Sequence, residues 1–393
     1  MSKLEKLIQQ YCPDGVEYYH LNGVATIKRG ERVTKAQLIP NGQYPVISGG
    51  VKPLGYLNRY NRKANTITIA QYGTAGYVDW QQNQFWANDV CYSVFPSKII
   101  NNRFLYFVLL HNQQLLYSLK TNAIPACLPL DKLAGVEIPV PPLPVQEEIV
   151  RVLDAFTELQ AELQAELQKR QQQYNFYRDN LLNFKNINRG GQEIKWMKLK
   201  DVATQWYRGA GIKREEVGNE GMPCIRYGEI HTSYNIWFKD CISHTDETKQ
   251  ATKKYAEYGD ILFAITSEDI PLVGNSVAYL GKEKIMVGGD IVVMKHNQDP
   301  RYMAYALSTS DAIKQKGKGK VKSKVVHTNV PSLQEIVIPI PPMEEQQRIA
   351  DILDRFDTLT NDLTSGLPAE MEKRRQQYEF YRDKLLTFKR KEA

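Results

Sequence analysis

Residues 138–156 read IPVPPLPVQEEIVRVLDAF, and residues 338–356 read IPIPPMEEQQRIADILDRF. Pro139, Pro141 and Pro142 recur as Pro339, Pro341 and Pro342, at an offset of 339 − 139 = 200, and Asp154 and Phe156 recur as Asp354 and Phe356. A repeat of this kind decides the fold class, because two copies of one unit dictate how the rest of the chain divides. An apolar, strand-like piece precedes each proline cluster, residues 136–140 and 336–340. Consecutive prolines end a strand, since each lacks an amide donor and fixes φ. The same fixed φ suits the first turn of a helix. Each copy therefore reads as strand, rigid hinge and helix.

The first helix is predicted over about residues 145–184. Ile149, Phe156, Leu163, Tyr177 and Phe184 fall at seven-residue spacing, and Val152, Leu153, Leu159, Leu167, Tyr174 and Leu181 fill the intervening positions. Sustained heptads imply a coiled-coil seam, interrupted here at Arg170. A helix of about 40 residues is roughly 60 Å long, and its apolar stripe needs a partner. The second copy offers one in Ile349, Ile352, Phe356, Leu359 and Leu363, followed by Tyr378, Tyr381, Leu385 and Phe388. The helix tails repeat as well: QQQYNFYRDNLLNFK (171–185) matches RQQYEFYRDKLLTFK (375–389), now at 375 − 171 = 204. The second copy has gained four residues near SGLP (365–368), about one helical turn, and Pro368 is a point where the helix kinks or breaks. The first helix carries AELQ twice, at 161–164 and 165–168. Helix-favouring composition and a length-adjusting module both account for that doubling.

The segments ahead of the helices are related too. VEYYHLNGVAT (16–26) parallels IKWMKLKDVAT (194–204) at 194 − 16 = 178, and YPVI (44–47) keeps that offset with MPCI (222–225). TITIA (66–70) and DILFA (260–264) both read as buried strands, and RFLYFVL (103–109) and RYMAYAL (301–307) as helices. Elsewhere the halves diverge. The expected architecture is α+β: two globular α/β domains, each followed by a long helix, with the two helices pairing. Ends alike and middles unlike implies a shared frame that carries two different recognition surfaces.

Composition sets the class of partner. The chain has 393 residues, 42% hydrophobic and 24% charged, ordinary for a soluble protein of two or three domains. No apolar run approaches the roughly 20 residues of a membrane span, and MSKLEKLIQQ lacks a signal-peptide core. The five cysteines are scattered without a CxxC pair, so metal clusters and disulfides are not expected and a reducing cytoplasm is. A net charge of +7 permits a polyanion. Basic and aromatic residues interleave at KRGERVTK (28–35), NRYNRK (58–63), QWYRGAGIKR (205–214) and IRYGEIHTSY (225–234). Each alone reads as a solvated loop first; together, in matching places of both halves, they favour nucleic acid. KQKGKGKVKSK (314–324) sets a lysine at every second residue, on one face of a strand or, as its glycines favour, in a flexible loop; either form can track a phosphate backbone, and a solvated loop with no partner is the alternative. Catalytic patterns are missing: no GxxxxGK[ST], HExxH, GxSxG or NPP[YF] occurs. GGDIVVMK (288–295) reads as a core strand containing Asp290 rather than as a nuclease motif, and His111 and His327 as surface or packing residues.

Taken together, the doubled IPxPPxxxQxxIxxxLDxF blocks and the doubled YxFYRDxLLxF ends (174–184 and 378–388) resemble the specificity subunit of type I restriction-modification systems. The blocks differ where Glu147 and Glu148 stand against Gln347 and Arg348. YPVISGG (44–50), NTITIAQYGTAGYV (65–78) and FWANDVCY (85–92) resemble one class of that family's target-recognition domains; the second domain matches more weakly. The resemblance implies a first target-recognition domain at 1–140, a spacer helix at 141–188, a second recognition domain at 189–340 and a second spacer helix at 341–393. It implies that each domain reads half of a bipartite double-stranded DNA target, and that the helices pair antiparallel as a coiled coil to fix the spacing. The resemblance further implies that two methyltransferase subunits using S-adenosylmethionine, and restriction subunits using ATP and Mg, dock on this chain, and that the chain itself holds no cofactor or metal and performs no catalysis. The setting it implies is cytoplasmic bacterial defence, with no membrane. Expected DNA contacts are Arg29, Arg32, Lys35, Ser48, Lys52, Gln71 and Tyr72 in the first domain and Arg208, Lys213, Arg214, Arg226, Tyr227 and Lys318 in the second. Ile149, Phe156, Leu163, Tyr177, Ile349, Phe356, Leu363 and Tyr381 are expected in the helix seam or facing partners. A coiled-coil scaffold presenting two β-rich glycan- or protein-binding domains is the alternative, separated by whether nucleic-acid affinity falls steeply with salt. A self-contained nuclease or methyltransferase would show activity without partners.

Overall fold

The strand that closes each domain also opens the hinge into its helix. Glu137–Val140 pairs antiparallel with Glu17–His20, setting Tyr18 opposite Pro139. Val337–Ile340 pairs in the same register with Lys195–Lys198, setting Trp196 opposite Pro339. Each is a two-stranded ribbon, where a proline without an N–H is tolerated. The computed structural model describes residues 3–184, 194–318, 325–361 and 366–392. The lysines at 320, 322 and 324, Leu363, Ser365 and the expected boundary at 188 lie outside these residues.

The chain forms two units. One comprises Met1–Glu162 with Met371–Ala393, the other Leu163–Glu370, so each unit holds a globular domain and parts of both helices. In the first unit, Ala25–Arg29, Cys91–Pro96, Thr66–Ala70 and Val78–Gln81 form an antiparallel sheet in that order. All five residues of 66–70 are buried; the two polar ones are hydrogen-bonded, Thr66 Oγ1 donating to Lys63 O at 2.8 Å and Thr68 Oγ1 accepting from Gln81 Nε2 at 3.1 Å. The helix Asn102–His111 buries Phe104, Leu105, Phe107, Val108 and Leu109 in this core. A smaller sheet joins Tyr56–Leu57, Tyr44–Ile47 and Trp86–Ala87.

In the second unit the sheet order is Ala203–Arg208, Ile291–His296, Ile261–Ala264, Ser276–Tyr279 and Trp237–Phe238. The helix Pro300–Leu307 supplies Tyr302, Met303, Tyr305 and Leu307 to its core. The strands at 25–29 and 44–47 have counterparts at 203–208 and 222–225, at the 178-residue offset of the sequence, and 66–70 has one at 261–264, matched by its apolar run and not by that offset.

The doubled block explains itself in side-chain contacts. Gln146 is fully buried: its amide donates to the carbonyls of Ile99 and Pro141, and its Oε1 accepts from Asn101 N at 2.7 Å. Gln346 likewise donates to Pro341 O at 2.8 Å and accepts from Asp299 N at 3.0 Å. Asn101 and Asp299 are the N-caps of the two domain helices, so each glutamine ties a proline hinge to a capped helix start. Asp154 pairs with Arg103 at 2.8 Å, and Asp354 with Arg301 at 2.7 Å. The repeated residues are those that fasten a helix to the domain before it.

The first long helix runs Leu143–Leu181, ending three residues before the expected limit, with Phe184 buried beyond it. The second copy forms the helices Met343–Asn361 and Leu367–Leu386, with Pro368 in the first turn of the latter, where a missing N–H costs nothing. The single-seam reading needs correction at the heads. Val145, Ile149 and Leu153 bury into the first domain's core, and Ile349, Ala350 and Leu353 into the second's. Helix-on-helix contact takes over further along. In the first unit Phe156 stacks on Tyr381 with ring centroids 5.4 Å apart, and in the second Tyr177 stacks on Phe356 at 5.7 Å. These are one pair written twice (156 + 200 = 356; 177 + 204 = 381). The start of the first helix meets the end of the last one, and the end of the first meets the start of the second copy, so the helices run antiparallel. Leu163 is half-buried.

Candidate nucleic-acid interface

In each domain three backbone segments cross where the first sheet strand ends. In the first, Gly30 N donates to Cys91 O, Glu31 N to Ala87 O and Asn88 N to Ile47 O, at 3.0, 2.8 and 2.9 Å. In the second, Gly209 N donates to Ile291 O, Ala210 N to Val287 O and Gly288 N to Ile225 O, each at 2.9 Å. The match is position for position. Both crossings demand glycine: a Cβ at Gly30 would lie 2.1 Å from Ala87 O, and one at Gly209 2.2 Å from Gly288 O. This shared frame places Arg29 and Arg208 at equivalent points, and likewise Ser48 and Arg226, Asn88 and Gly288, and Val90 and Asp290.

What differs is what the frame carries. In the first domain Asn88 is buried, accepting from Val33 N at 2.9 Å and donating to Ser48 Oγ at 3.3 Å. Arg29 is exposed, its guanidinium 5.8 Å from the centre of the Tyr92 ring, within cation–π range. In the second domain glycine replaces that asparagine, and a cleft of about 620 Å³ opens there. Arg208, Arg214, Arg226 and Tyr227 line it with Gly288, Gly289 and Asp290. The Arg208 guanidinium donates through Nε to Gly289 O and through Nη2 to Asp290 Oδ1 at 2.7 Å. Arg226 donates its backbone N–H to Glu229 Oε2 at 3.1 Å, and its guanidinium Nε lies 3.6 Å from Glu229 Oε1.

Four of the six expected contacts in the second domain thus converge on one cleft. Lys213 is exposed beside it in sequence, and Lys318 is exposed after the helix Ser310–Lys316. In the first domain Arg32 and Lys52 are exposed on loops, and Lys35 opens the one-turn helix Lys35–Gln37. Tyr72 is half-buried, bridged through its backbone to Cys127. Three readings change. Gln71 is only 4% exposed, with its backbone held by Val90 and Leu128, and so does not present its side chain at the surface. Asp290 precedes the core strand, which starts at Ile291, and faces the cleft. The run of alternating lysines is helical where it begins, and Lys316 is 5% exposed, donating to Leu307 O at 2.8 Å and Ser276 Oγ at 3.2 Å. Burial pushes its ammonium pKa down to about 7. His111 binds Asp383 at 3.1 Å, and His327 approaches Thr266 Oγ1 at 3.2 Å. Asn88 carries no signal in the sequence, since a lone amide has no period; Gln146 and Gln346 stand in the doubled block, and what the sequence does not show is that both are buried.

Two related α/β domains on antiparallel helices, each exposing arginines at a glycine-locked crossing, define a duplicated recognition protein. The comparisons specify its family. The model of the type I restriction modification DNA specificity domain matches twice, at residues 13–170 and 192–373, and the chain belongs to that family. It is similar to a putative type I restriction enzyme specificity subunit of Haemophilus influenzae, 31% identical over 98% of both chains. It is also similar to the Escherichia coli EcoR124I/EcoR124II specificity subunit, 30% identical over all of this chain and 98% of that one. In fold it is similar to the type I restriction-modification S subunit of M. genitalium, with a TM-score of 0.58 and 18% identity over 95% of this chain and 96% of that one. A chain solved in work on assembly and conformational transition of the type I R-M system matches with a TM-score of 0.60 and 14% identity, over 95% and 98%. The chain is therefore a type I specificity subunit with two target-recognition domains, and the glycan- or protein-binding alternative is not favoured.

Proposed function

We propose that each recognition domain reads one half of a bipartite double-stranded DNA target while the paired helices hold the interval between the halves. The observation that supports this reading is the shared crossing with unlike contents. One backbone frame carries Arg29, Ser48, Asn88 and Val90 in the first domain, and Arg208, Arg226, Gly288 and Asp290 in the second. Equal frames give equal docking on a duplex; unequal side chains give different base preferences. The helix tails support two equivalent partner sites. Phe176 and Phe380, the same residue of the two YxFYRD motifs, are 63% and 62% exposed, beside Tyr177 and Tyr381. Exposed aromatics of this size mark an interface, and two copies fit two methyltransferase subunits. S-adenosylmethionine chemistry belongs to those partners, and ATP- and Mg-dependent cleavage to restriction subunits of the same assembly, in the cytoplasm. This chain supplies the address without catalysis.

Selection from a randomised duplex pool by the assembled complex tests the reading. Two short defined sequences separated by a fixed unread gap are expected, with affinity falling steeply as salt rises. One contiguous site, or salt-independent binding without sequence preference, would contradict it.

A further inference from the structure

The cleft of the second domain contains an arginine held in an unusual way. The Arg208 side chain is 60% exposed, yet its Nε and Nη2 are both engaged, by Gly289 O and by Asp290 Oδ1. That fixes the guanidinium plane at the cleft mouth. Among the described residues no hydrogen bond engages Nη1, so the Nη1–Nη2 end presents two parallel donors outward. An end-on fork of two donors matches a base edge carrying two adjacent acceptors. In the major groove only guanine offers this, through O6 and N7; adenine puts a donor beside its N7.

The carboxylate behind the arginine argues against a phosphate contact. Asp290 is itself 42% exposed, and a negative charge so close repels a phosphate and cancels much of the arginine's attraction. It costs little against a neutral base, and it orders a side chain that otherwise loses considerable rotamer freedom on binding. The equivalent arginine of the first domain lacks this arrangement: Val90 stands where Asp290 does, and Arg29 leans on the Tyr92 ring.

We propose that Arg208 specifies a guanine in the half-site read by the second domain, and that Asp290 is the positioning residue that aims it. This rests on the DNA-reading function proposed above. The test is selection and titration with the assembled complex carrying Arg208→Ala, Arg208→Lys, Asp290→Asn or Asp290→Glu. Thermal melts confirm that each variant is folded. Arg208→Ala is expected to lose about 5- to 150-fold discrimination at one G·C pair of one half-site, leaving the other half-site unchanged. Arg208→Lys keeps the charge without the rigid fork and should retain only part of that preference. Asp290→Asn should blur that same position while tightening binding to all sequences, because a negative charge near the backbone is gone; Asp290→Glu should restore part of the preference. A merely structural aspartate would weaken binding and leave base preference intact. If Arg208→Ala weakens every sequence equally and lowers the salt slope by about one, Arg208 is a phosphate contact and this inference fails while the bipartite reading stands. If the unaltered complex shows no half-sites, both fail.

Discussion

Glu148 shows how one residue records the difference between two copies of a block. It is 4% exposed on its side chain, and accepts from Lys3 Nζ at 2.7 Å and from Arg151 Nη2 at 2.7 Å. In the second copy the charge is inverted: Arg348 stands there and pairs back to Glu345 at 2.7 Å. The physical reason is local. Lys3 belongs to the N-terminal helix Lys3–Tyr11, whose ammonium reaches the block of the first domain. The departure at 147–148 was visible in the sequence, but its cause was not, since the contact spans 145 residues. The Arg151 hydrogen bond, and then that of Lys3, hold the Glu148 carboxyl at about 2 against an ordinary 4.5. A carboxyl depressed on folding stabilises the native state fully above pH 4.5, and loses that contribution as pH falls through about 2. Calorimetric melts should therefore show wild type above Glu148→Gln at pH 6, with the gap closing between pH 4.5 and 2; a pH-independent gap would place the stabilisation in packing.

At the scale of elements, strands and domain helices were the legible part. The buried runs at 66–70 and 260–264 and the helices at 103–109 and 301–307 appear where apolar density placed them. The long helices were legible in extent but misread at their heads. Ile149 and Ile349 obey heptad spacing, yet they pack into the domains, because a seven-residue period records that a face is apolar and not what covers it. Of the candidate interface, the grouping of Arg208, Arg214 and Arg226 around one cleft was foreshadowed by two basic–aromatic clusters. The burial of Gln71 and Lys316 was not, because short polar stretches carry no sign of which residue turns inward. The aromatic ends of the helices carry the prediction that belongs here. Phe176→Ser and Phe380→Ser should each remove one methyltransferase subunit from the assembly, and the double variant both, with melting temperature little changed, as read by native mass spectrometry. Full occupancy in the double variant would move the docking surface elsewhere.

For the molecule as a whole, duplication is the organising fact. One frame is used twice, with Gln146 and Gln346 fastening each hinge and Phe156–Tyr381 and Tyr177–Phe356 repeating one helix contact. The recognition surfaces diverge in their side chains, while the crossing beneath them is built from backbone hydrogen bonds. Under the proposed function, the helices act on DNA through the interval they impose. The AELQ repeat lies inside the unbroken helix Leu143–Leu181, and four residues are about one turn and roughly 6 Å of rise. Deleting 165–168 keeps the helix face nearly in phase while shortening the rod. The most direct measurement is sequencing of methylated genomic DNA from cells carrying that deletion. The account predicts both half-sites unchanged and a gap shortened by one or two base pairs; an altered half-site beside an unaltered gap would contradict it.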